Sequence, residues 1–165
     1  MKTMDRTGSA EVTLPGDTQI LITRKFDAPA DLVFEVWTTP EHVRNWWGYE
    51  RDPMTVCEID LRVGGKWRYV AVNEEFGEID FYGEYQEIDR PNRLVSTEIF
   101  APYPDAPSLN TLTLEEEDGV TTMTILSEYD SQESRDAVIA SGMEHGLQHS
   151  LDRADKVLAR ELENA

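Results

Sequence analysis

Cysteine is almost absent from the sequence, since Cys57 is the only one among 165 residues. An internal disulfide is therefore excluded, and Cys57 is predicted to be a packed, small apolar side chain. Residues 1–17 lack the apolar core of a signal peptide, and no apolar run approaches the ~18 residues that span a membrane. We therefore expect a cytoplasmic protein that has no membrane partner.

Basic residues are also scarce, because 15 Lys and Arg stand against 33 Asp and Glu, which gives a formal net charge of -18. A surface of this sign repels phosphate backbones and anionic lipid headgroups. Nucleic acid is accordingly not a predicted partner. A protein partner would have to present a basic surface.

The signature motifs of several enzyme classes are missing. There is no serine nucleophile elbow, phosphate-binding glycine loop or dinucleotide fingerprint, which argues against hydrolases, kinases and dehydrogenases. His145 and His149 are four residues apart with Glu144 beside them, but the segment EHGLQH is not the HExxH zinc signature. We predict no metal, no cofactor and no catalytic residue. The two histidines are either polar contacts of a pocket or part of a helix surface.

The strongest periodic signal lies in residues 130–162, which predict one long C-terminal helix. Its apolar residues recur at three- and four-residue steps and form one stripe: Met143, Leu147, Leu151, Ala154, Leu158 and Leu162. Asp130 and Glu133 predict a capping box, and Gly142 predicts a bend. Such a helix would run on the order of 40 Å, so its stripe needs a sheet to cover it.

The remaining chain predicts that sheet. Residues 18–26 alternate as a first strand, two short helices follow with Pro29 and Pro40 near their starts, and six strands separated by turns fill residues 54–128. Gly64 and Gly65 mark a hairpin whose alternation requires an odd-length loop or a bulge. We expect an α+β fold with a seven-stranded curved antiparallel sheet around the C-terminal helix. Residues 1–17 are predicted to be a mobile arm that could add an edge strand, and residues 18–165 a single domain.

Four segments together resemble a known family: FDAPADLVFEVWTTPEHVRNWWG, VGGKWRY, GEYQEIDRPNRLV and SGMEHGLQHSLDRADKVL. The chain resembles the START-like, helix-grip (SRPBCC) superfamily, and within it bacterial proteins similar to the C-terminal domain of the activator of the heat-shock-protein ATPase. The resemblance implies a cavity between the sheet and the long helix, in a superfamily of lipid carriers, hormone receptors, aromatic cyclases and co-chaperones. It does not fix one function.

Aromatic residues supply the candidate ligand-binding site. The predicted site residues are Trp47, Trp67, Tyr69, Phe81, Tyr85, Met143 and Leu147. Large aromatic side chains either line a pocket or only fill a core, and both interpretations stay open at this stage. Gly83 is expected to leave room between Phe81 and Tyr85. The strand carboxylates Glu84, Glu87 and Glu98 are expected on the solvated outer face, although one that faced a cavity would have a raised pKa.

The function that these observations favour is the binding of a small apolar or aromatic molecule in that cavity, without chemistry of the protein's own. One alternative is a co-chaperone that acts on a heat-shock ATPase, as the resemblance suggests. The other is a cyclase or hydrolase that uses a cavity carboxylate or histidine.

Overall fold

A computed structural model describes residues 10–164 and contains a large antiparallel sheet with helices on one face. The strands are β1 (Glu11–Thr13), β2 (Gln19–Phe26), β3 (Met54–Ile59), β4 (Lys66–Asn73), β5 (Gly77–Asp89), β6 (Arg93–Phe100), β7 (Ser108–Glu117) and β8 (Val120–Tyr129). The helices are α1 (Ala30–Thr38), α2 (Pro40–Val43), α3 (Gln132–Ala140) and α4 (Met143–Glu163). The sheet order is β1-β2-β8-β7-β6-β5-β4-β3. The α+β prediction is confirmed, and the architecture fits a helix-grip fold.

The described sheet has eight strands, so the predicted number of seven is wrong. The additional strand is β1, which pairs with β2 and sets Val12 opposite Ile22 on the buried face. The side-chain amide of Gln148 on α4 extends this edge, because it both accepts from the backbone N–H of Ala10 and donates to its carbonyl. Part of the expected arm therefore belongs to the sheet, while residues 1–9 lie outside the described part of the chain.

Side-chain alternation gives the sheet one face that looks toward the helices. At one end this inner face is apolar and closed, with Ile20, Ile22 and Phe26 on β2 and Met123 on β8 all buried. Arg24 lies among them and donates to the carbonyl of Leu151 at 2.6 Å, with Asp152 and Asp155 within ion-pair distance. We call this region, with α1 and the second half of α4, the closed half.

The C-terminal helical segment is divided in two. Ser131 caps α3 by accepting from the backbone N–H of Ser134, so the predicted cap at Asp130 is wrong by one residue. Gly142 has a φ of 84° and separates α3 from α4, which confirms the predicted bend, since this left-handed conformation favours glycine. Within α4 the apolar stripe is buried at Leu151, Ala154, Val157 and Leu158, but Met143 and Leu147 remain partly exposed.

The β3–β4 connection confirms the predicted odd-length loop. Ile59 pairs with Trp67, and the N–H of Asp60 donates to the carbonyl of Lys66, which leaves residues 61–65 as a five-residue loop. The strand therefore ends at Ile59. Leu61 is consequently exposed and does not share the inner face with Trp67.

The two short helices present two adjacent tryptophans to different surroundings. Trp46 is buried, donates from its indole N–H to the carbonyl of Val36 at 3.0 Å and stacks on Trp37. Trp47, one residue later, points toward the rings of Tyr69 and Phe81 instead. Among the residues that the structure describes, no helix is long and apolar enough to cross a bilayer.

Candidate functional site

The second part of the interior, which we call the aromatic half, lies on the inner face of β4–β6, where Trp47 from the segment after α2 packs against the strands. The Trp47 ring centroid lies 5.4 Å from that of Tyr69 and 5.8 Å from that of Phe81, both in edge-to-face contact. Phe81 stacks on Phe100 of β6 at 4.8 Å, and Trp67 lies 4.8 Å from Tyr69. Edge-to-face and offset contacts of this kind stabilise aromatic clusters beyond the burial of their area.

Accessibility distinguishes these rings from ordinary core residues. Trp47, Tyr69, Phe81 and Phe100 face the interior but each keeps part of its surface accessible, as do Met143 and Leu147 across from them. In the closed half the equivalent inner-face positions are buried. The aromatic half is therefore less completely buried than the closed half.

Trp67 and Tyr85 behave as the wall behind that space, because both are buried. The Trp67 indole N–H donates to the carbonyl of Thr97 at 3.2 Å and crosses the face of Gly83. A Cβ on Gly83 would lie 1.8 Å from that carbonyl oxygen and 2.7 Å from the indole nitrogen. The expectation that Gly83 leaves room for a ligand is therefore wrong, since backbone and indole fill it.

Glu98 lies on the inner face, which contradicts the expected outer position. On β6, Ser96 pairs with Tyr85 and Phe100 with Phe81, so Glu98 between them points to the same side as these aromatic rings. Burial raises the pKa of Glu98 to about 7, and a hydrogen bond from Asn110 only partly opposes the shift. Glu84 and Glu87 do lie outside, where they form ion pairs with Lys66 and Arg93.

A chain of polar side chains connects Glu98 to the neighbouring strands. Asn110 on β7 is hydrogen-bonded to Glu98 and accepts from the hydroxyl of Ser127 on β8 at 2.7 Å. Ser127 is in turn hydrogen-bonded to Tyr129, whose pKa is raised to about 12 by burial. The negative charge of Glu98 contributes to the raised pKa of both Tyr129 and Tyr69, and Ser108 pairs with both Glu98 and Tyr129, which sets these two side chains on one face of the sheet.

The loop after α2 closes over the first half of α4. The Tyr49 hydroxyl is hydrogen-bonded to Nδ1 of His145 at 2.7 Å, and its ring lies 4.9 Å from that of His149 and against Gly146. Nε2 of His149 is buried and has no hydrogen-bond partner within residues 10–164. Ser150 and Arg153 fasten the same loop through the backbone of Gly48. The histidines thus contact a covering loop on the side of α4 that faces it.

An open groove of about 700 Å³ lies near the same strands but on the opposite surface of the sheet. Its lining includes the outward side chains of Lys66, Arg68, Tyr82, Glu84 and Ile99. Arg68 is already paired in two hydrogen bonds with Asp80. Because this groove is open and has the Lys66–Glu84 ion pair at its rim, it is a poorer site for an apolar molecule than the aromatic half.

The predicted site residues therefore divide into two sets. Trp67 and Tyr85 are buried and form the wall. The rings of Trp47, Tyr69 and Phe81 come together, while Met143 and Leu147 on α4 pack against the core cluster and remain partly exposed. Sequence reasoning did not include Phe100, Asn110 and Tyr129. The alternation on β6 could have suggested Phe100, but that strand has apolar residues on both faces, so alternation alone does not say which face is buried.

Metal and thiol chemistry find little support in the described residues. Within residues 10–164, no group of three His, Cys, Asp or Glu side chains lies close enough to hold a metal ion. Cys57 is buried, and burial raises the pKa of its thiol to about 11, which leaves it neutral and unreactive near pH 7.

Comparisons with known proteins agree with this architecture. Residues 27–159 match the model of a family described as activator of Hsp90 ATPase homolog 1-like protein. A crystal structure from Rhodobacter sphaeroides is 26% identical with a TM-score of 0.83, covering 92% of this chain and 98% of that one. A Mycobacterium smegmatis structure is 27% identical with a TM-score of 0.81, covering 91% and 96% of the two chains. No curated protein matches the chain.

Proposed function

The chain belongs to the activator of Hsp90 ATPase homolog 1-like family, and on that premise we propose that it is a cytoplasmic protein that binds a small apolar or aromatic molecule between its sheet and α4. The observation that supports this most strongly is the accessible aromatic surface in the interior. Trp47, Tyr69 and Phe81 turn their rings inward without burying them completely. A protein with no ligand would gain stability by closing this space, because unfilled apolar space in a core is costly.

The chemistry of the lining also suits a small molecule. The rings offer flat apolar contact, while Asn110, Tyr129 and Glu98 provide a few polar groups that could orient a ligand. Ligand sites typically combine a mainly apolar lining with a small number of polar groups in this way. Binding requires no bond to be made or broken, and the proposal assigns no chemistry to these residues.

Two measurements test the proposal. Native mass spectrometry of protein purified from its own host should detect a retained small molecule that is lost on denaturation. Titration with the neutral, environment-sensitive dye prodan should show saturable binding with a blue-shifted emission. Phe81→Ala should weaken this binding, whereas Phe76→Ala should not, since Phe76 is 75% exposed in the turn between β4 and β5. Equal loss in both variants, or no saturable binding to the wild type, contradicts the proposal.

Two other functions remain as competing proposals, each with its own observation. The family description favours a co-chaperone that stimulates a heat-shock ATPase, and an ATP-dependent pull-down followed by an ATPase assay tests it. The inward position of Glu98 favours an enzyme that uses this carboxylate as an acid or base. Turnover of the retained molecule by the wild type, abolished in Glu98→Gln, would support that enzyme.

A further inference from the structure

The lone carboxylate in the aromatic half indicates the class of ligand. We infer that this half binds an aromatic molecule that carries an alkyl amine. Its ammonium group would lie between the Glu98 carboxylate and the neighbouring aromatic rings. This inference rests on the proposed function. Its basis is the combination of an inward acid, the neighbouring aromatic rings and the absence, among residues 10–164, of a cation paired with that acid.

Glu98 is surrounded by neutral groups. The groups that face it are Asn110 on β7, Tyr129 on β8 and Tyr69 on β4, and the phenols of both tyrosines stay neutral near pH 7 because their pKa values are raised. From the helix side, α4 turns the uncharged Met143 and Leu147 toward the core. Within residues 10–164, no Lys, Arg or His contributes to the pKa of Glu98. Glu98 is only partly exposed and forms no ion pair with another described residue, whereas a carboxylate withdrawn from water is normally paired with a cation.

The inner face does contain a buried cation, but it lies in the other half. Arg24 is held by the carbonyl of Leu151 and by Asp152 and Asp155 on the second half of α4. Arg24 is not among the groups that shift the pKa of Glu98. The Arg24 guanidinium is therefore paired within the protein. In our proposal, the ammonium group of the ligand pairs with the Glu98 carboxylate.

The rings near Glu98 can stabilise a positive charge as well. Tyr69 is close enough for Glu98 to raise its pKa, and Trp47 and Phe81 contact Tyr69 or its neighbours at ring distances below 6 Å. A cation over an aromatic face is attracted by the ring quadrupole, and the attraction is stronger when the cation is desolvated. Aromatic rings around a carboxylate are thus suited to an ammonium group attached to a flat apolar body.

Charge on the whole molecule acts in the same direction. The formal net charge of -18 attracts small cations and repels small anions, which raises the local concentration of an amine near the interior opening. An anionic ligand would instead place a second negative charge beside Glu98 in a region of low dielectric constant. Such a pair of like charges costs far more there than in water. The protein should therefore discriminate among ligands of equal shape by the sign of their charge.

Three naphthalene compounds test this discrimination: 1-naphthylmethylamine, naphthalene-1-methanol and 1-naphthoic acid. They share one ring system and differ in a cationic, a neutral and an anionic group. We expect the amine to bind at least about tenfold more tightly than the alcohol at pH 8, and the acid to bind most weakly, by isothermal titration calorimetry. Glu98→Gln should bring the amine to the affinity of the alcohol while leaving the alcohol unchanged.

Glu84→Gln is the matched control, because it removes the same charge from the outer face of the adjacent strand. The preference for the amine should survive in this variant, since the change in net charge is identical but the interior is untouched. If Glu84→Gln and Glu98→Gln reduce the preference equally, general attraction by the acidic surface explains it and the inference is overturned. Circular dichroism of both variants checks that each remains folded.

Proton release gives a second readout. Near pH 6 the interior carboxyl is mostly protonated, because burial raises its pKa to about 7, so an arriving ammonium should displace its proton. Calorimetry in buffers of different ionisation enthalpy should detect this release for the amine, not for the alcohol, and not in Glu98→Gln. Equal affinity of all three compounds overturns the inference and leaves the proposed function intact. If neither these compounds nor prodan bind, both are overturned.

Discussion

Leu147 and Leu151 are two leucines one turn apart on α4, yet they differ in how completely they are buried. Leu151 is 1% exposed and packs in the closed half, where its carbonyl also accepts from Arg24. Leu147 is partly exposed and packs at the margin of the core. One continuous helix thus covers a region that the protein packs completely and a region that it leaves accessible. The difference teaches that the apolar stripe of a helix predicts which face is buried but not how tightly it packs.

The largest expected effect compares these two leucines directly. Leu151→Ala should lower the free energy of unfolding by about 2–5 kcal/mol, because it opens a cavity among buried side chains that cannot collapse. Leu147→Ala should cost less than half as much, since accessible space already adjoins that side chain. Chemical denaturation of both variants measures the difference. Equal losses would mean that the interior is packed uniformly and that the comparison fails.

The second prediction limits the comparison, because the wall of the aromatic half is tight even though its interior is accessible. Gly83→Ala should destabilise the protein by about 3 kcal/mol, at the upper end of overpacking effects, since the new methyl group would meet the backbone carbonyl of Thr97. Gly119→Ala is a contrasting variant, because a Cβ there meets nothing and only its φ of 79° is unfavourable. The melting temperature should fall more in Gly83→Ala than in Gly119→Ala. The reverse order would contradict the account of this wall.

The third prediction uses the pH dependence of stability to test whether the Glu98 carboxyl is withdrawn from water in the aromatic half. The pKa of Glu98 is about 7 in the folded protein against an ordinary value of 4.5, so folding favours the protonated carboxyl. Its contribution to stability is therefore best preserved below pH 4.5 and is lost as the pH rises toward 7. Glu98→Gln should be more stable than the wild type by about 3 kcal/mol at pH 8, with the advantage disappearing at pH 4. A constant difference across this range would show that the carboxyl is not desolvated.

The smallest expected effect is that of salt, and it should be common to both halves. Self-repulsion from a net charge of -18 weakens as the Debye length shrinks from about 30 Å at 0.01 M to about 10 Å at 0.1 M ionic strength. The melting temperature should therefore rise with salt over this range. Leu147→Ala and Leu151→Ala should shift by equal amounts, because their substitutions change no charge. A flat or falling melting temperature would refute the role of self-repulsion.

The sequence was sufficient to predict the elements and their main arrangement. The periodicity around Leu151, the glycine at 142 and the alternation along β2 and β8 each reflect a local rule that the fold obeys. The three-residue strand β1 was harder, because its pairing depends on Gln148, 138 residues away from Ala10. Local pattern cannot reveal a contact of that separation.

The candidate site was predictable only in part. Trp47 and Tyr69 were found from composition and position, but the inward direction of Glu98 was not. Because Val95, Ile99 and Leu94 place apolar residues on both faces of β6, alternation gives no unique inner face, and only pairing with β5 decides it. Gly83 shows the converse, since an absent side chain suggested space where the Trp67 indole lies.

The bond between Gln148 and the backbone of Ala10 has a consequence for self-association. Because β1 covers part of the edge of β2, it withholds unpaired backbone groups from a second molecule, and an uncovered strand edge is a template for intermolecular pairing. Gln148 donates to and accepts from Ala10 as a neighbouring strand would, so the helix itself holds this protective strand in place. Weakening that single amide would therefore promote oligomers joined edge to edge, and the integrity of the sheet border depends on a side chain of α4.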